Sequence, residues 1–239
     1  PRGAHRDPPV MARARLVGRE PAAAGQVRVT LEIDEAFRKA HARAGQFVEL
    51  FPETDAHGYF ALLNAPGENA GAVLLVRTDP ESGGEAAARL MRSALGAELP
   101  IRGPLGAGFA LERAEAKRVR VVATGTAIAP ARAAIVALGA RGLLVCSLDY
   151  GVRSEAHVAL PEDLARFRRA GIEVAIHVSM PGPDGPHGVL VQDALAARWT
   201  EASTREEVVV VVGQPELARD VRERWLARGG DPLDVLTNL

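Results

Sequence analysis

Cysteine is almost missing from this chain of 239 residues, which has only Cys146. One thiol excludes an internal disulfide and any multi-cysteine zinc or iron–sulfur centre built by the chain alone, and it fits a reducing, cytoplasmic compartment. Long hydrophobic runs are missing too. Although 47% of the residues are hydrophobic, no stretch approaches the roughly 18 to 20 unbroken apolar residues of a membrane helix, so the sequence reads as globular with no membrane span. Neither sign of charge dominates: 29 basic residues face 30 acidic ones for a net charge of -1, leaving no overall field to draw the chain to nucleic acid or an anionic bilayer.

Several catalytic signatures are absent as well. No serine sits in a G-x-S-x-G elbow, and neither Lys39 nor Lys117 follows a Walker-type phosphate loop. The histidines His5, His41, His57, His157, His177 and His187 form no i, i+4 pair and no H-E-x-x-H arrangement, so nothing proposes a metal site. A strict G-x-G-x-x-G fingerprint is also missing.

What is present divides into two patterns. Residues 1–11, with prolines at Pro1, Pro8 and Pro9 and no apolar signal-peptide core, read as a loose N-terminal extension. From Gln26 to Asp34 the chain alternates, with Val27, Val29, Leu31 and Ile33 on one face and Arg28, Thr30 and Glu32 on the other, which predicts a half-exposed strand of an antiparallel sheet or barrel. Similar short runs follow at Gln46–Phe51, Gly58–Leu63, Ala72–Thr78 and Glu98–Arg102, separated by Gly, Pro and Asn. One Ala-rich helix over Glu85–Leu95 interrupts them, with Leu90, Met91 and Leu95 sharing an apolar face. After the charged segment Glu112–Lys117, which could serve as a linker, apolar strands alternate with helices: Val119–Ala123 then Pro130–Leu138, Leu143–Leu148 then Pro161–Ala170, Glu173–Ser179 then Val191–Trp199, and Val208–Val212 then Pro215–Arg228. Nearly unbroken apolar strands indicate burial on both faces of a parallel sheet flanked by helices. The fold class expected is an N-terminal antiparallel β-barrel, residues 12–113, followed by a C-terminal α/β Rossmann-like parallel sheet, residues 117–239.

Ligands of open parallel sheets bind beyond the carboxyl ends of the strands, so the turns after Ala123, Leu148 and Val212 come first. Thr124-Gly125-Thr126-Ala127-Ile128-Ala129-Pro130 joins a strand to a helix start whose free amides suit a pyrophosphate; an ordinary strand-turn-helix uses glycine and proline in the same way. Val212-Gly213-Gln214-Pro215 repeats the pattern at the last strand, and two such turns on one sheet edge could clasp a dinucleotide. Tyr150-Gly151-Val152-Arg153 offers an aromatic face and a guanidinium to an adenosine and its ribose or phosphate, or is an exposed loop with a solvated arginine. Gly103-Pro104-Leu105-Gly106-Ala107-Gly108-Phe109 reads as a structural turn. Tyr59 and Phe60, on pattern alone, read as core packing beside a strand.

Taken in order, Gly45-Gln46-Phe47-Val48, Gly58 to Pro66, Gly103 to Gly106, Gly125 to Pro130, Tyr150 to Arg153 and Val212 to Pro215 resemble the ferredoxin–NADP reductase superfamily. The closer likeness is to a branch typified by a kiwifruit protein, whose chain similarly ends in asparagine before a hydrophobic residue, as Asn238-Leu239 does here. The resemblance implies a flavin-dependent NAD(P)H oxidoreductase with FAD between the two halves, passing electrons to a small-molecule or protein acceptor. It implies Tyr59, Phe60, Ala61 and Leu62 beside the isoalloxazine, and Gly84, Glu85 and Ala86 at a helix start near the flavin phosphates. Gly125, Thr126, Ala127 and Pro130 would hold the nicotinamide nucleotide's pyrophosphate, Tyr150, Gly151 and Arg153 its adenosine side, and Gly213, Gln214 and Pro215 its nicotinamide. Hydride transfer then requires the nicotinamide carbon roughly 3 to 3.5 Å from the flavin nitrogen. The chain departs from the family's pattern at four sites. Gly58-Tyr59-Phe60-Ala61 stands where R-x-Y-S is common, which removes the arginine expected at the pyrophosphate and the serine expected near the flavin; His57 or an arginine from elsewhere is the candidate replacement. Glu85 and Ala87 stand where a hydroxyl residue is expected, Ala127 replaces a glycine, and Val212 replaces a cysteine. Two other readings stay open: a non-catalytic or electron-transfer subunit of a larger reductase with a degenerate flavin site, and a chain that binds nucleotide without flavin.

Overall fold

Alternating burial organises the first half. A computed structural model describes residues 10–68, 71–79, 83–115, 117–143, 145–180, 188–196 and 198–238; residues 1–9 of the expected extension, with His5, lie outside them, as do His187 and Leu239. Strands β1 (Val10–Ala23), β2 (Gln26–Glu32), β3 (Phe47–Leu50), β4 (Gly58–Ala61), β5 (Ala72–Arg77) and β6 (Glu98–Leu105) form one antiparallel sheet in the order β4-β3-β6-β1-β2-β5. The sheet curls until its edges meet in a bridge between Leu62 and Leu74, which gives the expected barrel-like architecture. Leu16, Val29, Leu31, Val48, Leu50, Leu74 and Ile101 point into its core.

Strand β1 has no counterpart among the expected strands. Its inward residues include the small Ala14 beside Leu16, and arginines occupy the alternate positions Arg13 and Arg15, so the hydrophobic alternation is weak although the pairing is long. Val10 and Met11, read as the end of a loose extension, already pair with Gly103 and Arg102. A short helix, α1 (Glu35–Ala40), is started by Asp34, whose carboxylate accepts the Phe37 amide at 2.7 Å, an N-cap that satisfies an otherwise orphaned donor. The Ala-rich helix is α2 (Gly84–Arg92); it plugs the barrel with Ala86, Ala87 and Leu90. It stops at Ser93, so Leu95 lies beyond it and 61% exposed rather than on its apolar face.

The second half is a parallel sheet of β7 (Arg118–Thr124), β8 (Val145–Val152), β9 (Glu173–Val178), β10 (Glu207–Val212) and β11 (Val235–Leu236), ordered β11-β10-β7-β8-β9. The chain builds outward from β7 to β9 and then returns to the other side of β7, so the order reverses between β7 and β10, where α/β sheets open a crevice. Helices α3 (Ile128–Ala140), α4 (Pro161–Arg169), α5 (Val191–Ala196), α6 (Glu201–Glu206) and α7 (Pro215–Leu226) flank it. The five valines Val208 to Val212 are all buried, as a strand covered on both faces requires.

The halves share one apolar core: Ala44, Leu63, Ala65, Val73, Leu75 and Phe109 from the first pack with Val121, Ile128, Ala131 and Ile135 of the second. Polar bonds cross the same seam. Arg132 of α3 donates across it to Glu68 at 2.5 and 2.9 Å and is held within its own half by Asp163 at 3.2 Å, and the Ala24 amide donates across it to the Ala156 carbonyl at 2.8 Å. The expected linker is pinned rather than free. Its Arg113 and Lys117 both reach the buried Asp234.

Candidate functional site

At the reversal point, β7 runs out through Thr124 into a tight turn, Gly125–Ala127, and then α3. Gly125 takes φ 54°, which is left-handed backbone that glycine enters without the Cβ penalty. The start of α3 has no side-chain cap, so its first amides and the positive end of its dipole face the crevice unneutralised. Across from this turn, β10 ends at Gly213. A Cβ there would stand 2.5 Å from Thr124 Oγ1 and 2.8 Å from Leu217, so the two turns come this close only because residue 213 has no side chain.

These turns form one wall of a cleft of about 1350 Å³ whose opposite wall is the barrel edge. Of the residues expected to bind cofactor, the structure brings together Tyr59, Phe60, Ala61, Gly125, Thr126, Ala127, Pro130, Gly151, Arg153, Gly213 and Gln214 as its lining. Six others do not line it. Leu62 is 1% exposed and faces the barrel core, because strand periodicity turns it away from Ala61. Pro215 opens α7 between the lining residues Gln214 and Glu216.

Tyr150 is the plainest correction. It belongs to β8 itself rather than to a loop after it, is wholly buried, and donates its hydroxyl to the Gly125 carbonyl at 3.1 Å. It supports the glycine turn from beneath instead of offering a ring to adenosine. Burial pushes its pKa up to about 12, against a smaller lowering by the Ala159 backbone, so the phenol remains a donor across ordinary pH.

Gly84, Glu85 and Ala86 also stand outside the lining, and the helix start touches the cleft through Gly83. Ala86 is occupied with packing: a Cβ on Gly58 would stand 2.5 Å from the Ala86 Cβ. That contact explains why position 58 is glycine and carries no arginine. Glu85 turns away along its own helix to Arg92 at 2.7 Å, leaving the α2 amides, which have no side-chain cap, clear of the carboxylate.

Sequence reasoning missed several lining residues: Gln26, Arg77, Thr124, His157, His177 and Asn238. Arg77 matters most. It ends β5, shares its strand face with the cleft-lining Leu75, and brings its guanidinium to 3.1 Å from where a Gly125 Cβ would lie; period-two counting from Leu75 would have found it. His177 pairs through Nε2 with Asp149 Oδ1 at 2.9 Å; Asp149 is wholly buried, and Arg198 and Arg120 also face it. Asn238 reaches over the cleft and donates to the Gly45 carbonyl at 3.1 Å. His57 meets Glu49 at 2.9 Å and does not line the cleft.

The sequence of residues 121–223 matches the family model described as the oxidoreductase NAD-binding domain. This segment is similar to oxidoreductase NAD-binding domains. It contains the Gly125 and Gly213 turns on either side of the reversal point. Solved structures agree over the whole chain. The cytochrome P450 reductase GcoB of Amycolatopsis superposes with a TM-score of 0.83 at 22% identity, over 97% of this chain and 70% of that one. Ferredoxin-NADP+ reductase from Plasmodium falciparum gives 0.75 at 12% identity over 95% of both chains. The cytochrome b5 reductase domain of Ulva prolifera nitrate reductase gives 0.71 at 16% identity, over 93% of this chain and 94% of that one. The two-sheet architecture is therefore the fold that these reductases share. No curated protein matches the sequence. Among the described residues no helix is long and apolar enough to cross a membrane.

Proposed function

We propose that the chain is a flavin-dependent NAD(P)H oxidoreductase that passes electrons to a small-molecule or protein acceptor. The supporting observation is the cleft: the uncapped turn of an oxidoreductase NAD-binding domain opens directly onto the barrel edge Tyr59–Ala61, with Arg77 between them. The residues present fit FAD. Arg77 and the α2 helix start at Gly83 supply the positive end that Gly58 cannot. The uncharged Tyr59-Phe60-Ala61 strand offers an apolar face to a ring system. Bound there, FAD would supply a two-electron acceptor for hydride and a donor to the next carrier. The chain's own work is positional. The amides of the turn Gly125 to Ala127 bind a nicotinamide nucleotide's pyrophosphate, and Gly213 leaves room for its nicotinamide. Arg153 lies on the adenosine side, and Asn238 covers the junction. Ala61 brings no hydroxyl to the flavin, so orientation rests on shape and backbone groups. A single free thiol, Cys146, accords with a reducing cytoplasmic setting.

Purified protein soaked with FAD and passed over a desalting column should retain a flavin spectrum that NADH or NADPH bleaches without air. Failure to retain flavin overturns the reading. Retention without bleaching favours the alternative of an electron-transfer subunit with no nicotinamide chemistry of its own.

A further inference from the structure

Beyond the carboxyl ends of β8 and β9 the cleft closes in a rim that strand alternation builds. Asp149 and Gly151 of β8 and Glu173 and His177 of β9 share one face of the sheet, while Tyr150, Val152, Ile176 and Val178 pack into the core on the other. Arg153 and Ser179 continue the same alternation past the strand ends, where the Met180 amide donates to the Arg153 carbonyl at 2.9 Å. Arg153, His177 and Ser179 all line the cleft, as do the exposed apolar residues Val189 and Leu190 ahead of α5. Among the described residues, the carboxylates that line the cleft stand elsewhere: Asp79 on the barrel beside Arg77, and Glu216 and Asp220 on α7.

His177 is held in a defined way. Its Nε2 lies 2.9 Å from Oδ1 of the wholly buried Asp149, and a carboxylate only accepts, so this nitrogen carries a proton. Arg198, after α5, reaches the same oxygen at 3.2 Å, and Arg120 of β7 reaches the other at 3.7 Å. Arg198 also meets Glu173 of β9, and Arg120 meets Glu207 of β10. Two arginines thus face three carboxylates around the ring, and a charge on His177 balances the cluster. Nδ1 has no partner among the described residues and, unlike Nε2 of His41, is not enclosed. It is the polar atom that the ring has left to offer a ligand. Arg153 is exposed, and no carboxylate of the described residues pairs with it.

We propose that His177 and Arg153 are specificity residues that make the cleft prefer a nicotinamide nucleotide carrying a 2′-phosphate, and that the proton on His177 Nδ1 sets the strength of that preference. The inference rests on the nicotinamide-binding reading above. Protonated, Nδ1 is a second donor that meets phosphate oxygens beside the Arg153 guanidinium. Deprotonated, it turns a lone pair toward them, and the preference falls. Asp149 is a positioning residue, because it fixes which ring nitrogen is left for the ligand.

Calorimetric titration of the full chain with NADP+ and with NAD+ tests this without turnover. At about pH 6.5, within the range where imidazoles change charge, NADP+ should bind about ten- to a hundredfold tighter than NAD+. The ratio should fall severalfold by about pH 8.5. The ligand's 2′-phosphate gains negative charge over the same interval and pushes the ratio the other way, so a fall reports on the protein. His177→Gln keeps a donor for Asp149 and should abolish the fall. Arg153→Ala should lower the ratio about tenfold at both pH values and leave the fall in place. Equal affinity for the two nucleotides, tighter NAD+, a ratio that still falls with pH in His177→Gln, or a parent-like ratio in Arg153→Ala overturns the proposal and leaves nicotinamide binding standing. Binding of neither nucleotide removes the nicotinamide reading itself, and this inference with it.

Discussion

His41 should make the protein labile in mild acid. It caps α1, where its backbone amide bonds to the Phe37 carbonyl, and its imidazole is buried with Nε2 unpartnered. Desolvation lowers its pKa from 6.5 to about 4, although the nearby Glu68 charge and the Arg43 backbone pull the other way. The unfolded chain therefore takes up a proton below pH 6.5 that the folded chain refuses until about pH 4, so folded stability falls as pH drops through that window. Each pH unit of the gap is worth about 1.4 kcal/mol, and between about pH 7 and about pH 4.5 the loss from this one group comes to about 2 kcal/mol. Glu68 is held below its ordinary range because its bonds to Arg132 outweigh its desolvation. Its contribution is present above the unfolded carboxylate pKa and disappears only below it, so it barely enters the chosen interval. Urea unfolding of the parent and of His41→Leu at the two pH values isolates the effect, because groups not coupled to His41 cancel in the comparison and Glu68 barely titrates in this interval. The variant should lose about 2 kcal/mol less on acidification. Parallel pH dependence in the two proteins would refute the argument.

Arg132→Ala should cost about 1.5 to 3 kcal/mol in urea unfolding, because it removes the charge-assisted bonds to the half-buried Glu68 while Asp163 keeps Arg166; a cost below about 1 kcal/mol would place the pair in the surface class. Arg77→Ala should weaken FAD retention about ten- to a hundredfold in equilibrium dialysis, and undiminished retention would remove Arg77 from the flavin site. Gly213→Ala must push Thr124 or Leu217 aside, at a cost of about 1 to 3 kcal/mol of stability by urea unfolding, and should raise the Michaelis constant for the nicotinamide nucleotide more than it shifts flavin binding.

The parts of the fold that announce themselves are those with one strong period. Val27 to Ile33 and Val208 to Val212 carry enough branched apolar residues to fix strand and sheet type, and the two glycine turns mark the crevice because parallel sheets bind ligands at one edge only. Strand β1 stayed hidden since alanine contributes little to hydrophobic alternation, and its pairing with β6 across many intervening residues leaves no local trace. Tyr150 misled for a different reason. An aromatic residue beside glycine at a strand end fits a ligand contact, but whether the ring points to the cleft or the core depends on how far β8 extends, and it runs on through Val152. Gly58 and Ala86 depend on a tertiary contact between β4 and α2 that no spacing encodes. The approach of Arg77 to the Gly125 turn is likewise a tertiary contact, visible only once β5 is laid beside the end of β7.

The shared core at the seam limits how ligands can enter. Because Leu63, Val73 and Phe109 are packed with Ile128, Ala131 and Ile135 as one body, swinging the halves apart would expose interior surface and break the Arg132 triad at once. Exchange of bound molecules must therefore proceed through small excursions at the rim, and heat or denaturant should dismantle both sheets in a single cooperative step.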